Sequence, residues 1–158
     1  TGETIPAELI EKIVASKNYL SAYYHMRQLQ FGILDMAWHT LKEIPAESSL
    51  QFEKKALEAT NVLPSVPECI ISTSFSHIFS GGYSAGYYSY KWAEVLAADG
   101  FSLFKENGIF DQKTATAFRT LLSKGSSIDP AELYRNFRGH DPEPEALLKQ
   151  LGIIESED

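Results

Sequence analysis

Cysteine is nearly absent from this sequence. Cys69 is the only one, so no internal disulfide can form, and a lone thiol fits a reducing compartment. Long apolar runs are missing too. No window approaches the roughly 18 consecutive apolar residues of a membrane-spanning helix, and the N-terminus carries no signal-peptide pattern. Basic charge is scarce: 14 Lys and Arg face 21 Asp and Glu, a formal net charge of −7. That balance argues against a nucleic-acid surface and against an anionic membrane surface. Part of the excess sits in the tail acids Glu155, Glu157 and Asp158, which are expected to be a solvated end. A cytoplasmic protein with neither nucleic acid nor membrane as partner is expected.

The common catalytic signatures are also lacking. There is no His-Glu-x-x-His, and none of the four histidines, His25, His39, His77 and His140, pairs with another at i, i+4. Ser80-Gly81-Gly82-Tyr83 lacks the lysine and the further glycines of a phosphate loop. No G-x-S-x-G elbow occurs, and Cys69 has no histidine near it in sequence to make it a nucleophile. The sequence holds no complete catalytic constellation of its own.

What is present is helical. A length of 158 residues fits a single domain with its own core, and 44% apolar with 22% charged residues is ordinary for a globular chain. Thr4-Ile5-Pro6-Ala7-Glu8 opens a first helix, with Thr4 able to cap and Leu9, Ile10, Ile13 and Val14 at helical spacing. A longer helix is expected from about Tyr19 to His39, with Leu20, Tyr23, Arg27, Phe31, Leu34 and Trp38 on one stripe. Arg27 either snorkels from the stripe's edge or turns inward to a carboxylate. Gly32 within it marks a close approach, expected from a neighbouring helix. Ser48 or Ser49 caps a third helix bearing Leu50, Phe52, Ala56, Leu57 and Ala59. Pro64 and Pro67 then start a loop of some 18 residues, in which Ile70–Thr73 could be extended.

A central helix is expected from Ser84 or Ala85 to Asn107, ended by Gly108. Asp111 caps the next, through Ser123, with Ala115, Phe118, Leu121 and Leu122 inward. Asp129-Pro130-Ala131-Glu132 opens another, carrying Leu133, Tyr134 and Phe137 to Gly139. Pro142–Pro144 opens a last one bearing Leu147, Leu148 and Leu151. The fold class is all-α, with about seven helices.

Ligand-touching groups concentrate in one stretch, Phe75 to Asp99. On a helix entered near residue 84, Tyr83, Tyr87, Tyr90 and Glu94 share a face, while Tyr88, Trp92, Val95 and Asp99 share another that suits the core. Phenols on one face can offer O–H groups to a carbonyl or an oxyanion. Gly81 and Gly82 permit positive φ and close approach of a ligand's backbone, and His77 adds a donor or acceptor. The same pattern also fits a packed core or interface face with satisfied hydroxyls, a simple glycine turn and a satisfied loop histidine. Spacing alone indicates a site without naming a reaction.

The stretch FSHIFSGGYSAGYYSYKWAEVLAADGF, with its His-x5-Tyr-x3-Tyr-Tyr-x-Tyr core and glycine pair, closely resembles the C-terminal segment of the thimet oligopeptidase family of zinc metallopeptidases. The resemblance is strongest to the bacterial oligopeptidase A branch. It extends through KNYLSAYYHMRQLQFGILDMAWH upstream and ENGIFDQKTATAFRTLLSKGSS and LYRNFRGHDPEPEALLKQLGI downstream, which is nearly the whole chain. ECIIST at Glu68–Thr73 departs from the aromatic-rich version associated with that branch. The resemblance implies a helical lobe of a larger two-lobed enzyme that hydrolyses short peptides. Its zinc is held by His-Glu-x-x-His and a later Glu, N-terminal to the matched region, so this chain is expected to be a C-terminal fragment. It would bind no metal and be inactive alone, its partner being the rest of the same polypeptide. By the same match Tyr90 is the oxyanion donor, Tyr83 assists it or binds substrate backbone, and His77 contacts substrate. Gly81, Gly82 and Tyr87 line the substrate. The alternative is a stand-alone helical module that binds a peptide or protein without catalysis.

Overall fold

The computed structural model describes residues 2–155, so Thr1 and residues 156–158, with the tail acids Glu157 and Asp158, lie outside the described residues. The described residues form eight α-helices and one 3₁₀ turn, with no strand among them. The all-α expectation holds. None of these helices is long and apolar enough to cross a membrane. The chain divides into two compact units, the first running to Lys91 and the second starting at Trp92.

In the first unit, α1 (Ala7–Ser16) follows Pro6, which occupies the N-cap without a side-chain bond, so Thr4 is not the cap. No residue of α1 is buried. Leu20, at φ 56°, precedes α2 (Ser21–His39), which therefore starts two residues later than the expected Tyr19. α3 (Ser49–Leu57) begins at a full capping box: Ser48 Oγ accepts from the Gln51 N–H while Gln51 Oε1 accepts from the Ser48 N–H. A 3₁₀ turn, Glu58–Thr60, closes it, and the Gln30 amide donates to the Thr60 carbonyl at 2.8 Å.

The core of this unit lies where α2 meets α3 and α4 (Ser76–Phe79). Leu34 and Ile78 are fully buried, Phe52 and Leu57 nearly so, and the Trp38 ring packs on Phe52 at 4.1 Å. Arg27 is exposed, its guanidinium 5.1 Å over the Phe31 ring, so the snorkelling alternative is the one realised. Ile70–Thr73 is not extended. It forms turns, with the backbone N–H groups of Ile71 and Ser72 donating to the buried Glu53 carboxylate at 2.9 and 2.8 Å.

α5 (Ser89–Asn107) begins at the end of the first unit and supplies the first helix of the second. It ends before Gly108, at φ 105°. α6 (Gln112–Lys124) starts at Asp111, whose carboxylate accepts from the Thr114 N–H at 2.7 Å, and α7 (Pro130–Arg138) starts at Asp129 with Pro130 in its first turn. α8 (Glu145–Gln150) is short. Ala98, Tyr134, Phe137 and Leu147 are the buried apolar residues here. The rings of Phe101, Phe104, Phe118 and Phe137 run in series at 5.6–6.1 Å. Asp99 is buried and accepts from the Tyr134 hydroxyl at 2.6 Å and from Arg138 Nε at 3.3 Å. Burial, then the bond to Asp99, pushes the Tyr134 phenol well above its ordinary range.

Two apolar faces differ from expectation. Tyr88 and Trp92 are exposed, Trp92 at 57%, although Asp99 on the same face is buried. On α6, Ala115, Phe118 and Leu122 are exposed and only Thr114 is buried. Helical spacing identifies residues that share a face but not whether anything in this chain covers it.

Candidate functional site

The site grows from one buried acid. Asp35 lies in the last half of α2 and is 0% exposed. Its Oδ1 accepts from the Ala85 backbone N–H and its Oδ2 from the Tyr87 backbone N–H, both at 2.9 Å. His39, one turn on, sets Nδ1 2.8 Å from Asp35 Oδ1 and 2.9 Å from the Asp35 backbone carbonyl. A buried carboxylate is tolerable only when it is hydrogen-bonded, and these contacts give each of its oxygens a partner. The two backbone bonds also brace Ala85 at φ 54°, a left-handed conformation costing a non-glycine residue about 1–2 kcal/mol.

That conformation changes how the tyrosines meet. Residues 82–88 are turns, not helix, and α5 starts only at Ser89. The 4-3-4 helical spacing of Tyr83, Tyr87, Tyr90 and Glu94 is therefore not what aligns the phenols. The loop folds back through Gly86 N–H to the Tyr83 carbonyl (2.9 Å) and Tyr90 N–H to the Tyr87 carbonyl (3.2 Å). The rings converge all the same. Tyr83 stacks on Tyr90 at 5.2 Å, and Tyr87 meets Tyr90 at 5.0 Å.

His77, on α4, joins them, its ring 5.9 Å from Tyr83 and 6.3 Å from Tyr87. Phe31 and Phe75 back Tyr87 at 5.7 and 5.1 Å. The loop start is tied to α4 by Ser84 Oγ, which donates to the Ile78 carbonyl at 2.6 Å. His77, Gly81 and Gly82 are exposed, and Tyr83 and Tyr90 keep 38% and 39% of their surface in solvent. Tyr87 is half-buried. Its hydroxyl donates to Gln28 Oε1 at 3.1 Å, so it offers a ring wall rather than a spare donor.

The glycines act by space, not by dihedral. Neither Gly81 nor Gly82 has positive φ; the positive φ of this loop belongs to Ala85. A Cβ on Gly81 would stand 3.0 Å from the His77 carbonyl oxygen, whereas one on Gly82 would meet nothing within 4 Å. Gly32 on α2 faces the backbone of Tyr88 at 3.6 Å, so the close approach is made by the tyrosine loop and not by another helix.

Electrostatically, the Tyr90 phenol is raised above 10.0. The hydrogen bond with Tyr83 is the largest cause, followed by desolvation and the nearby Tyr83 and Tyr87 phenols. Desolvation raises Tyr87 as well. Both remain O–H groups, able to donate, through any ordinary pH.

The sequence model of peptidase family M3 matches residues 1–153. The chain belongs to peptidase family M3. It is 43% identical over 155 residues to oligopeptidase A of Escherichia coli (strain K12), covering 97% of this chain and 23% of that protein. To the organellar oligopeptidase A, chloroplastic/mitochondrial, of Arabidopsis thaliana it is 43% identical over 161 residues, covering 98% of this chain and 20% of the relative. Saccharolysin of Saccharomyces cerevisiae is 33% identical over 155 residues, covering 97% and 22%. The chain thus spans less than a quarter of the length of the curated relatives it matches.

Membership brings the zinc question to the described residues. Among them no three of His, Cys, Asp and Glu come together as a metal site. His77 has aromatic neighbours, and the Asp35 oxygens are taken by backbone N–H groups. These residues do not fit a zinc ion.

Sequence reasoning grouped the three phenols and His77 but missed Asp35, Gln28 and Glu53. Asp35 did carry a signal: it is the only charged residue between Arg27 and Lys42. An acid placed there is buried only with partners, and partners imply a loop folded onto it.

Proposed function

We propose that this chain is the C-terminal part of a zinc-dependent oligopeptidase that hydrolyses short peptides, and that its tyrosine loop supplies the donors for the reacting carbonyl. Supporting this is the convergence of Tyr83, Tyr90 and His77 on one solvent-facing cluster, in a chain of peptidase family M3. The zinc ligands belong to a part of the polypeptide outside this sequence, which lacks His-Glu-x-x-His.

The chemistry follows from the donors. When a peptide carbonyl is attacked, its oxygen gains charge, and a phenol O–H that is already in place stabilises that charge more than it does the neutral carbonyl. Tyr90 is assigned this role. Tyr83, stacked on it, assists it or binds substrate backbone. His77 contacts substrate at the cluster's edge. Gly81 and Gly82, both exposed and without side chains, let the substrate main chain approach the loop, and the Tyr87 ring forms the wall beneath.

The test is Tyr90→Phe in the full-length polypeptide, which removes one O–H and leaves the ring. The expected result is a fall in kcat of roughly 10²–10³ with KM little changed. An unchanged kcat removes Tyr90 from the mechanism.

A further inference from the structure

Asp35 meets neither the Tyr83 nor the Tyr90 ring, yet it holds the backbone of the segment that joins them. Its two oxygens bond the N–H groups of Ala85 and Tyr87, two residues apart, and so fix the turn between Tyr83 and Tyr90. Without that bidentate grip, the turn keeps only the Gly86 N–H bond to the Tyr83 carbonyl and the Ser84 tie to Ile78 to offset the cost of Ala85 at φ 54°. An alanine released from it would return to a right-handed or extended conformation. Either change rotates the chain between Tyr83 and Tyr87 and separates the stacked pair Tyr83–Tyr90.

We propose that Asp35 is a positioning residue for the reaction: a buried anion whose work is to hold the tyrosine loop in the conformation that stacks Tyr83 on Tyr90. This rests on the reading of Tyr90 as oxyanion donor and deepens it. The design is economical in entropy. A loop that donates to the oxyanion must be ordered before the substrate arrives, because ordering it during the reaction would subtract from the rate. A fully buried carboxylate on a 19-residue helix is a rigid anchor, and an unmade bond to it is costly, so the loop is ordered in advance. His39 Nδ1 lies near both Asp35 Oδ1 and the Asp35 backbone carbonyl, and it makes no bond to the loop backbone.

Three variants of the full-length polypeptide test this: Asp35→Asn, Tyr90→Phe and the double variant. Asn keeps the size and one acceptor oxygen but turns an NH₂ towards one of the two N–H groups. Asp35→Asn is expected to lower kcat by roughly 10–10², within what misplacement of a reacting group costs, with KM little changed. In the Tyr90→Phe background the same substitution should change kcat by less than about threefold, because a residue acting through Tyr90 has nothing left to act through. Equal losses in both backgrounds overturn the proposal. A Tyr90→Phe variant of undiminished kcat would instead overturn the reading of Tyr90. The positioning claim is then judged by a readout independent of activity.

That readout is amide hydrogen exchange, with tyrosine ring NMR. Ala85 and Tyr87 should exchange slowly, though they lie outside any helix, and fast in Asp35→Asn, while the Tyr90 titration should move back towards 10 as its bond with Tyr83 is lost. Fast exchange at Ala85 and Tyr87 in the unsubstituted protein overturns the proposal even if Asp35→Asn fails to fold. His39→Gln is the control. It disturbs a contact of Asp35 that is not with the loop backbone and should lower stability while leaving the Ala85 and Tyr87 protection in place.

Discussion

Glu53 offers the sharpest test of how the segment leading into the site is held. It is buried on α3, and three donors converge on it: the Ile71 N–H at 2.9 Å, the Ser72 N–H at 2.8 Å and the Ser72 hydroxyl at 2.7 Å. Ser72 Oγ in turn accepts from Trp38 Nε1 at 2.9 Å. Glu53→Ala leaves two backbone N–H groups with no acceptor. The buried Ser72 N–H costs about 1–3 kcal/mol, the half-buried Ile71 N–H less, and the lost side chain leaves a void, so a total of about 2–5 kcal/mol is expected. Glu53→Gln keeps one acceptor oxygen and presents an NH₂ to the remaining donors, for about 1.5–3 kcal/mol. Against a domain stability of about 5–15 kcal/mol the first change is severe. Urea unfolding in a Trp92→Phe background measures it, since Trp38 is then the sole tryptophan and sits at the end of this chain of bonds. A Glu53→Ala cost below about 1 kcal/mol would show that water or a new partner satisfies Ile71 and Ser72, and that Glu53 does not pin the segment.

Gly32→Ala should stabilise the chain by about 0.5–1 kcal/mol in the same urea titration, because a Cβ there stands 3.6 Å from Tyr88, ordinary contact, and helix interiors favour alanine. Gly81→Ala should do the reverse: its Cβ meets the fixed His77 carbonyl at 3.0 Å, so the loop must shift, and the full-length polypeptide should show a raised KM. The Asp111 carboxyl is held below its ordinary 3.8 by its bond from the Thr114 N–H. A folded value below the unfolded one means that its contribution to α6 is complete above about pH 4 and is lost as pH falls through the folded value; Asp111→Ala should flatten that part of an acid titration followed by circular dichroism. Tyr90, raised above 10.0 chiefly by Tyr83, stays a donor beyond pH 10, and Tyr83→Phe should move the alkaline limb of kcat downwards. Zinc titration of this chain by calorimetry should show no stoichiometric binding; tight binding would contradict placing the ligands elsewhere.

The helices were legible because their ends are chemical. Ser48, Asp111 and Asp129 cap, Pro130 starts, and Gly108 and Gly139 stop, each by satisfying or freeing specific backbone groups that the sequence names. The all-α class needed nothing more. Burial was less legible. Phe118 and Leu122 repeat as a core stripe should, yet both are exposed. In a chain that spans less than a quarter of its relatives' length, periodicity still records faces that this chain alone does not cover.

The tyrosine cluster teaches something different. The spacing of Tyr83, Tyr87 and Tyr90 pointed to a common face, and the three rings do meet, but the helix that was to align them starts only at Ser89. Local periodicity could not have revealed this, because the cause is 50 residues away in sequence. Asp35, buried on α2, accepts from the Ala85 and Tyr87 N–H groups, and Ala85 between the turns takes a left-handed φ that no helix can include. Glu53 accepts from the N–H groups of residues 71 and 72. Both segments flanking His77 are thus held in irregular conformations by a helix-borne carboxylate that satisfies their donors. A charge-assisted bond is worth roughly twice a neutral one, which is enough to decide the conformation of a short segment. The sequence signal for such a loop therefore lies outside it, in an acid set among apolar residues on a distant helix. Donors held in this way can stay exposed at the surface and still be ordered, which is the combination a substrate-facing wall requires.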